Sequence, residues 1–131
     1  MLTITIPGDP KGKGRPRLGK GHTYTPKDTV SYENWVKMCF LNQEGKMLEG
    51  ELKAEIVCYY SIPKGTSKKR AAKMIQGNIK PIKKPDLDNV AKIILDSLNG
   101  IAYKDDSQIV ELSIKKYYAE QPLVRLWLEE V

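Results

Sequence analysis

The sequence predicts an α+β fold: a single domain spanning residues 1–131, with a mixed β-sheet of about four strands and two to three helices. Three observations predict it. Apolar and polar residues alternate in four stretches, the two-residue period of a half-buried strand. Other stretches carry helix start and stop signals around an apolar stripe. The 131 residues are 40% hydrophobic and 29% charged, with no internal repeat and no interdomain linker, which is the size and balance of one globular domain.

Taken in order, Leu2-Thr3-Ile4-Thr5-Ile6 alternates as a strand and is stopped by Pro7-Gly8. Residues 7–24 then contain five glycines and three prolines, which predicts a pliable basic loop over residues 7–27. Thr25-Pro26-Lys27-Asp28 is a helix start, with Thr25 as N-cap, Pro26 in the first helical position and Asp28 completing a capping box. That helix is expected to run to about Glu44, with Val30, Trp35, Met38 and Cys39 among its apolar positions and Gly45 as its stop. Residues 51–62 alternate, with Leu52, Ala54, Ile56, Cys58, Tyr60 and Ile62 on one face. Ser67 to Gln76 predicts a short basic helix closed by Gly77. Residues 78–85 form a linker in which Pro85 keeps Lys84 extended. From Asp86 or Asp88 a helix runs to Asn99-Gly100, with a core stripe of Val90, Ile94 and Leu98 joined by Ala91 and Leu95. Ser107 to Tyr118 and Leu123 to Val131 read as two more strands, joined through residues 119–122 as a hairpin.

Charge is unevenly spread over a net of +6. Residues 10–27 carry Lys11, Lys13, Arg15, Arg17, Lys20 and Lys27 and no acid. Residues 63–84 carry Lys64, Lys68, Lys69, Arg70, Lys73, Lys80, Lys83 and Lys84, again with no acid. Those two stretches hold 14 of the 22 basic residues, so the remainder of the chain is net acidic. Two acid-free basic stretches against an acidic body form a nucleic-acid footprint, in which phosphate contacts supply salt-dependent affinity. The apolar runs are too short for a transmembrane helix and the N-terminus lacks a signal-peptide pattern, so a cytoplasmic protein with no membrane partner is expected. Cys39 and Cys58 lack metal-ligand spacing, and His22 is the single histidine, which excludes Cys/His zinc sites. Gly14 to Gly21 falls short of a P-loop: it has Pro16 inside, no hydroxyl residue after the lysine and no helix directly following. No nucleotide cofactor is expected.

The chemistry concentrates in Lys83-Lys84-Pro85-Asp86-Leu87-Asp88-Asn89-Val90-Ala91-Lys92. Two carboxylates two residues apart can hold a hard divalent cation, and the lysines before them can hold a phosphate backbone. Asp88 as a helix cap and Asp86 as solvated turn chemistry explain the same residues without a metal. Lys92 stands four residues after Asp88 and four before Asp96. It reads either as the centre of an i,i+4 ion-pair ladder or as a cation beside the scissile phosphate. Asp105-Asp106 is a second acidic pair at a strand entrance. It can supply a third ligand if the chain folds back onto residue 86, and otherwise it is a polar turn.

In combination these motifs become specific. Gly8-Asp9-Pro10-Lys11-Gly12-Lys13-Gly14-Arg15-Pro16-Arg17, Tyr24-Thr25-Pro26, Pro85-Asp86-Leu87-Asp88-Asn89 with Lys92, Asp96, Leu98 and Asn99-Gly100, then Asp105-Asp106-Ser107-Gln108-Ile109, resemble the RusA family of Holliday-junction resolvases over a span reaching about residue 118. The resemblance implies a homodimeric, Mg²⁺-dependent endonuclease of four-way DNA junctions, of a kind often encoded by prophages, acting in DNA recombination and repair. Mn²⁺ is expected to substitute. It implies catalytic roles for Asp86, Asp88, Asp106 and Lys92, with Asp105 a further candidate ligand beside Asp106 in a catalytic segment over residues 85–107. DNA contacts are expected from Lys11, Lys13, Arg15, Arg17 and Lys20 in the arm, and from Lys68, Lys69, Arg70, Lys83 and Lys84 in the segment 63–84. A nuclease of other branched DNA and a catalytically inactive junction-binding module are the alternatives.

Overall fold

The alternating N-terminal stretch forms strand β1 (Leu2–Pro7), and Gly8, at φ +105°, turns the chain out of it. The computed structural model describes residues 1–14, 17–19, 22–24, 27–43 and 45–131; the side chains of Arg17, Leu18, His22 and Tyr24 also lie outside the description. The predicted cap residues Thr25 and Pro26, and the predicted helix end Glu44, therefore fall outside the described residues. Within the expected basic loop, β2 (Arg17–Gly19) and β3 (His22–Tyr24) pair antiparallel as a small two-stranded sheet.

Helix α1 (Lys27–Asn42) buries Thr29, Tyr32, Val36, Cys39 and Phe40. Of the apolar positions singled out in the sequence only Cys39 faces the core, while Val30, Trp35 and Met38 are exposed. Strand β4 (Leu52–Ser61) buries Leu52, Ala54, Ile56, Cys58 and Tyr60, the predicted inward face. Helix α2 (Lys68–Ile75) starts at Ser67, whose hydroxyl accepts the Arg70 amide, and Gly77 follows it at φ +84°. Helix α3 (Leu87–Ser97) buries Val90, Ala91, Ile93, Ile94 and Leu95, and Leu98 continues the stripe. A 3₁₀ turn (Asp106–Gln108) leads into β5 (Ile109–Ala119), and β6 (Leu123–Glu130) follows.

The main sheet has the order β1-β6-β4-β5. Strand β6 lies between β1 and β4, antiparallel to both, and β5 runs parallel to β4. The fold class matches the expectation, but the predicted β5–β6 hairpin does not form. Residues 120–122 instead carry the chain past the end of β4, and β6 returns on the far side. Alternation fixes which face of a strand is buried, not which neighbour it pairs with. The parallel β4–β5 pair needs a long crossover, and α2 and α3 supply it. One sheet face packs on α1 and α3 around Ile4, Ile6, Ile56, Phe40, Ile94, Leu126 and Tyr103.

The open edge of β1 is covered by a side chain. The Gln43 amide donates to the Thr5 carbonyl at 2.7 Å and its oxygen accepts the Thr5 amide at 2.8 Å, so it substitutes for a neighbouring strand residue. Gly45, just past α1, is required for space. A Cβ there would lie 2.3 Å from the ring of fully buried Phe40. Gly45→Ala is therefore expected to destabilise the fold by about 1–3 kcal/mol through overpacking, read in urea denaturation as a lower midpoint at unchanged slope.

Candidate active site

The linker before α3 is seated on tyrosines of β4 and β5. The Lys80 ammonium lies 6.0 Å from the Tyr117 ring centre, which stacks with Tyr59, and the Lys83 ammonium lies 5.8 Å from that of Tyr118. Lys116 donates to the Lys83 carbonyl at 2.9 Å, and the Tyr60 hydroxyl donates to the Pro85 carbonyl at 2.5 Å. Burial pushes the Tyr60 phenol well above its ordinary range, so it remains a donor. These contacts fix the chain immediately before Asp86.

Asp86 occupies the N-cap position of α3, yet its side chain makes no capping bond. Asp88 lies in the first turn, and both carboxylates are exposed. An exposed acidic pair at the positive end of a helix dipole, unused by the helix itself, is open to an external cation. Lys92 is exposed one turn on, and among the described residues it makes no ion pair. Of the two readings of Lys92, the Asp88–Lys92–Asp96 ladder is not formed among the described residues, and Asp96 pairs with Lys13 instead.

The later acidic pair folds back onto the other end of α3. Asp105 caps the 3₁₀ turn: its carboxylate accepts the Ser107 amide at 3.0 Å, and that contact holds its pKa below the ordinary value. Gln108 accepts the Lys104 and Asp105 amides and donates to the Gly50 carbonyl at 3.1 Å, anchoring the turn to the start of β4. The Asp106 amide donates to Asn99 Oδ1 at 2.8 Å. Its carboxyl lies near Asp96, and partial burial followed by that neighbour raises its pKa. Beneath them the Tyr103 hydroxyl donates to the Leu95 carbonyl at 2.6 Å.

The basic arm crosses α3 between these two acidic groups. Gly8 donates to the Pro122 carbonyl, Asp9 accepts from Ser61, and Trp35 Nε1 donates to the Pro7 carbonyl. Further on, the Lys13 amide donates to the Asn89 carbonyl at 3.3 Å and the Gly14 amide to Thr29 Oγ1 at 2.9 Å. The arm lies so close that a Cβ on Gly12 would meet Asn89 Cβ at 3.0 Å and Pro85 Cβ at 3.2 Å. Between arm and helix is an open cavity of about 600 Å³ whose walls include Lys11, Lys13, Lys84, Asp86 and Asn89.

The all-oxygen donor chemistry fits a hard divalent ion. Two neighbouring carboxyls, the pKa of one raised by burial and by the other, are groups a divalent cation would neutralise. Yet no three His, Cys, Asp or Glu side chains among the described residues converge to hold one. Asp86 and Asp96 are roughly 15 Å apart along the axis, at about 1.5 Å per residue, and Asp106 sits with Asp96. The structure therefore joins Asp106 to α3 but not to Asp86 and Asp88.

Of the expected DNA contacts, Lys11, Lys68, Lys69, Arg70, Lys83 and Lys84 are exposed, while Lys13 is half-buried in ion pairs. Arg15, Lys20 and the Arg17 side chain lie outside the described residues. Sequence reasoning missed a site role for Asp96 and the anchoring roles of Asn99 and Gln108. Their signal was a helix-face aspartate, an Asn-Gly stop and an acidic pair within about a dozen residues.

The family model for Endodeoxyribonuclease RusA matches residues 7–129. This chain belongs to the RusA endodeoxyribonuclease family. The match covers the arm, α3 and the acidic turn alike, so the RusA elements include every part of the site. Within the curated proteins, the chain is 34% identical over 137 residues to the uncharacterized protein YqaN of Bacillus subtilis (strain 168), covering 99% of this chain and 96% of that one. No helix among the described residues is long and apolar enough to cross a membrane.

The raised Asp106 pKa has a stability consequence. A carboxyl whose folded pKa exceeds its unfolded value contributes most below the unfolded value, and that contribution is lost as pH rises through the folded one. Asp106→Asn is thus expected to raise the melting temperature at pH 7, with the gain vanishing as pH falls below the ordinary aspartate range. Thermal melts across that window check it.

Proposed function

We propose that this RusA-family protein is a Mg²⁺-dependent, structure-selective endodeoxyribonuclease that resolves four-way DNA junctions by paired symmetric nicks, acting as a homodimer. The observation that carries the reading is the pair of acidic groups at the two ends of α3, bordered by the acid-free basic arm and by the basic segment that runs into Asp86. A protein that only bound DNA would gain nothing from clustered carboxylates, which repel phosphate unless a cation lies between.

Asp86, Asp88 and Asp106 would hold Mg²⁺, or Mn²⁺ in its place. Asp106 is favoured over Asp105, whose carboxylate is occupied in capping its own turn. When bound, the ion supplies Lewis-acid activation of water and neutralises charge on the phosphate oxygens. Lys92, exposed and unpaired among the described residues, presents a fixed positive charge to the scissile phosphate. Exposed Lys11, Lys84 and the α2 cations Lys68, Lys69 and Arg70, with Arg15, Arg17 and Lys20 of the arm, hold the DNA backbone by charge and shape.

The separation of Asp106 from Asp86 within one chain supports the dimer. In a two-fold assembly, Asp106 of one copy can face Asp86 and Asp88 of the other, and two equivalent sites suit the two-fold symmetry of a junction.

Purified protein with Mg²⁺ should nick a synthetic four-way junction at paired positions and cut linear duplex poorly; equal cutting of both sinks the resolvase reading. Preferential cutting of flaps or forks would favour another branched substrate, and binding without cutting an inactive module. Asp88→Asn and Asp106→Asn should each abolish nicking while junction binding persists. Mixing the two variants should restore nicking if the site is shared between copies, because one site of each heterodimer is then intact. No recovery would place all three carboxylates in one chain. Charge reversal at Lys68, Lys69 and Arg70 should weaken junction binding and flatten its salt dependence, by roughly 0.9 in slope for each lost duplex-phosphate contact; a binding titration over salt reads this directly.

A further inference from the structure

Lys13 stands out among the basic residues of the arm because its charge is already engaged. Its ammonium lies 2.7 Å from Asp96 Oδ2 and 3.6 Å from Glu33 Oε2, and all three side chains are largely sheltered, at 20–26% exposure. Three separate elements meet at this atom: the arm, α1 through Glu33 and α3 through Asp96. The Lys13 backbone is tied as well, its amide donating to the Asn89 carbonyl, so the residue spans α3 from its first turns to its last. Asp96 in turn neighbours Asp106, whose amide is held by Asn99 three residues on from Asp96, so charged groups run from Glu33 through Lys13 and Asp96 toward Asp106.

A sheltered lysine shared by two carboxylates is a poor phosphate ligand, since reaching DNA would strand both acids. It is well suited to hold Asp96 in one position. Asp96 so held is a fixed charge beside Asp106, whose backbone is tied by Asn99. Groups that orient a catalytic carboxylate in this way typically change activity by roughly 10–100-fold when removed.

We propose that Lys13 is a positioning residue for DNA cleavage, clamping Asp96 against α1 and the arm so that the Asp106 carboxyl is correctly aimed, and not a contact to the DNA backbone. The proposal rests on the nuclease reading of this site.

The test compares wild type, Lys13→Met, which keeps the apolar stem, and Asp96→Asn. Lys13→Met is expected to lower the single-turnover rate on fully bound four-way junction by roughly 10–100-fold and to raise the Mg²⁺ concentration needed for half-maximal rate, while junction affinity and its salt slope stay at wild-type values. Asp96→Asn should give a similar loss, and the double variant should be no worse than either single. A salt slope reduced by about one would make Lys13 a phosphate contact and overturn the proposal, as would an unchanged rate on bound junction. A junction-free measurement separates this from failure of the nuclease reading. If wild type cuts no junction, that reading falls, while the clamp is still read from melting temperatures of the two single variants and the double. Non-additive losses support the clamp, and additive losses overturn it.

Discussion

Helix α3 is buried along most of its circumference, and the site is arranged around that burial. Val90, Ala91, Ile93, Ile94, Leu95 and Leu98 all face protein, which leaves a narrow outer strip for Asp88, Lys92 and Asp96. Sliding or rotating the helix would expose several fully buried side chains, at about 1.5–3 kcal/mol each. The strip is therefore rigid, and the positions of its charged groups follow from core packing. Everything else in the site approaches it: the tyrosine-seated linker from one end, the acidic turn from the other, and the arm across the middle.

The polar contacts around the strip are short-range consequences of particular residue types. Asn99 and Gln108 use side-chain amides to bind backbone groups that a turn leaves unpaired. In doing so they decide which of two adjacent aspartates is free. Asp105 is consumed by its capping bond and Asp106 is released toward α3. Gly12 acts by absence, since a Cβ there would press on Asn89 at 3.0 Å and on Pro85 at 3.2 Å.

Much of this was legible in the sequence. The strand faces of β4, the span of α2 with its stop at Gly77, and the stripe from Val90 to Leu98 follow from periodicity and stop signals, which are local. What failed was non-local. A short connection predicts a β5–β6 hairpin, yet β6 pairs with β1 and β4, partners that no spacing rule reveals. Val30 and Met38 looked like core positions, and α1 instead turns Thr29, Tyr32 and Val36 inward. In the site, the Asp86–Asp88 pair, Lys92 and the later acidic pair were visible as motifs. Their separation along α3 was not, nor was the contact between Lys13 and Asp96, 83 residues apart. A helix-face aspartate four residues from a lysine invites a local pairing, and only the folded chain shows a better partner.

The place of β6 has a consequence for how the molecule is made. Strands β1 and β4 are not hydrogen-bonded neighbours; β6, which follows both in sequence, bridges them. Until that segment has left the ribosome, β1 has no partner in the main sheet and the base on which α1 and α3 rest is incomplete. Contacts between segments so distant in sequence are slow to form because a long loop must close first. Completion of the sheet thus waits on the synthesis of β6, and the surface that carries the charged strip becomes rigid only once that strand is in place.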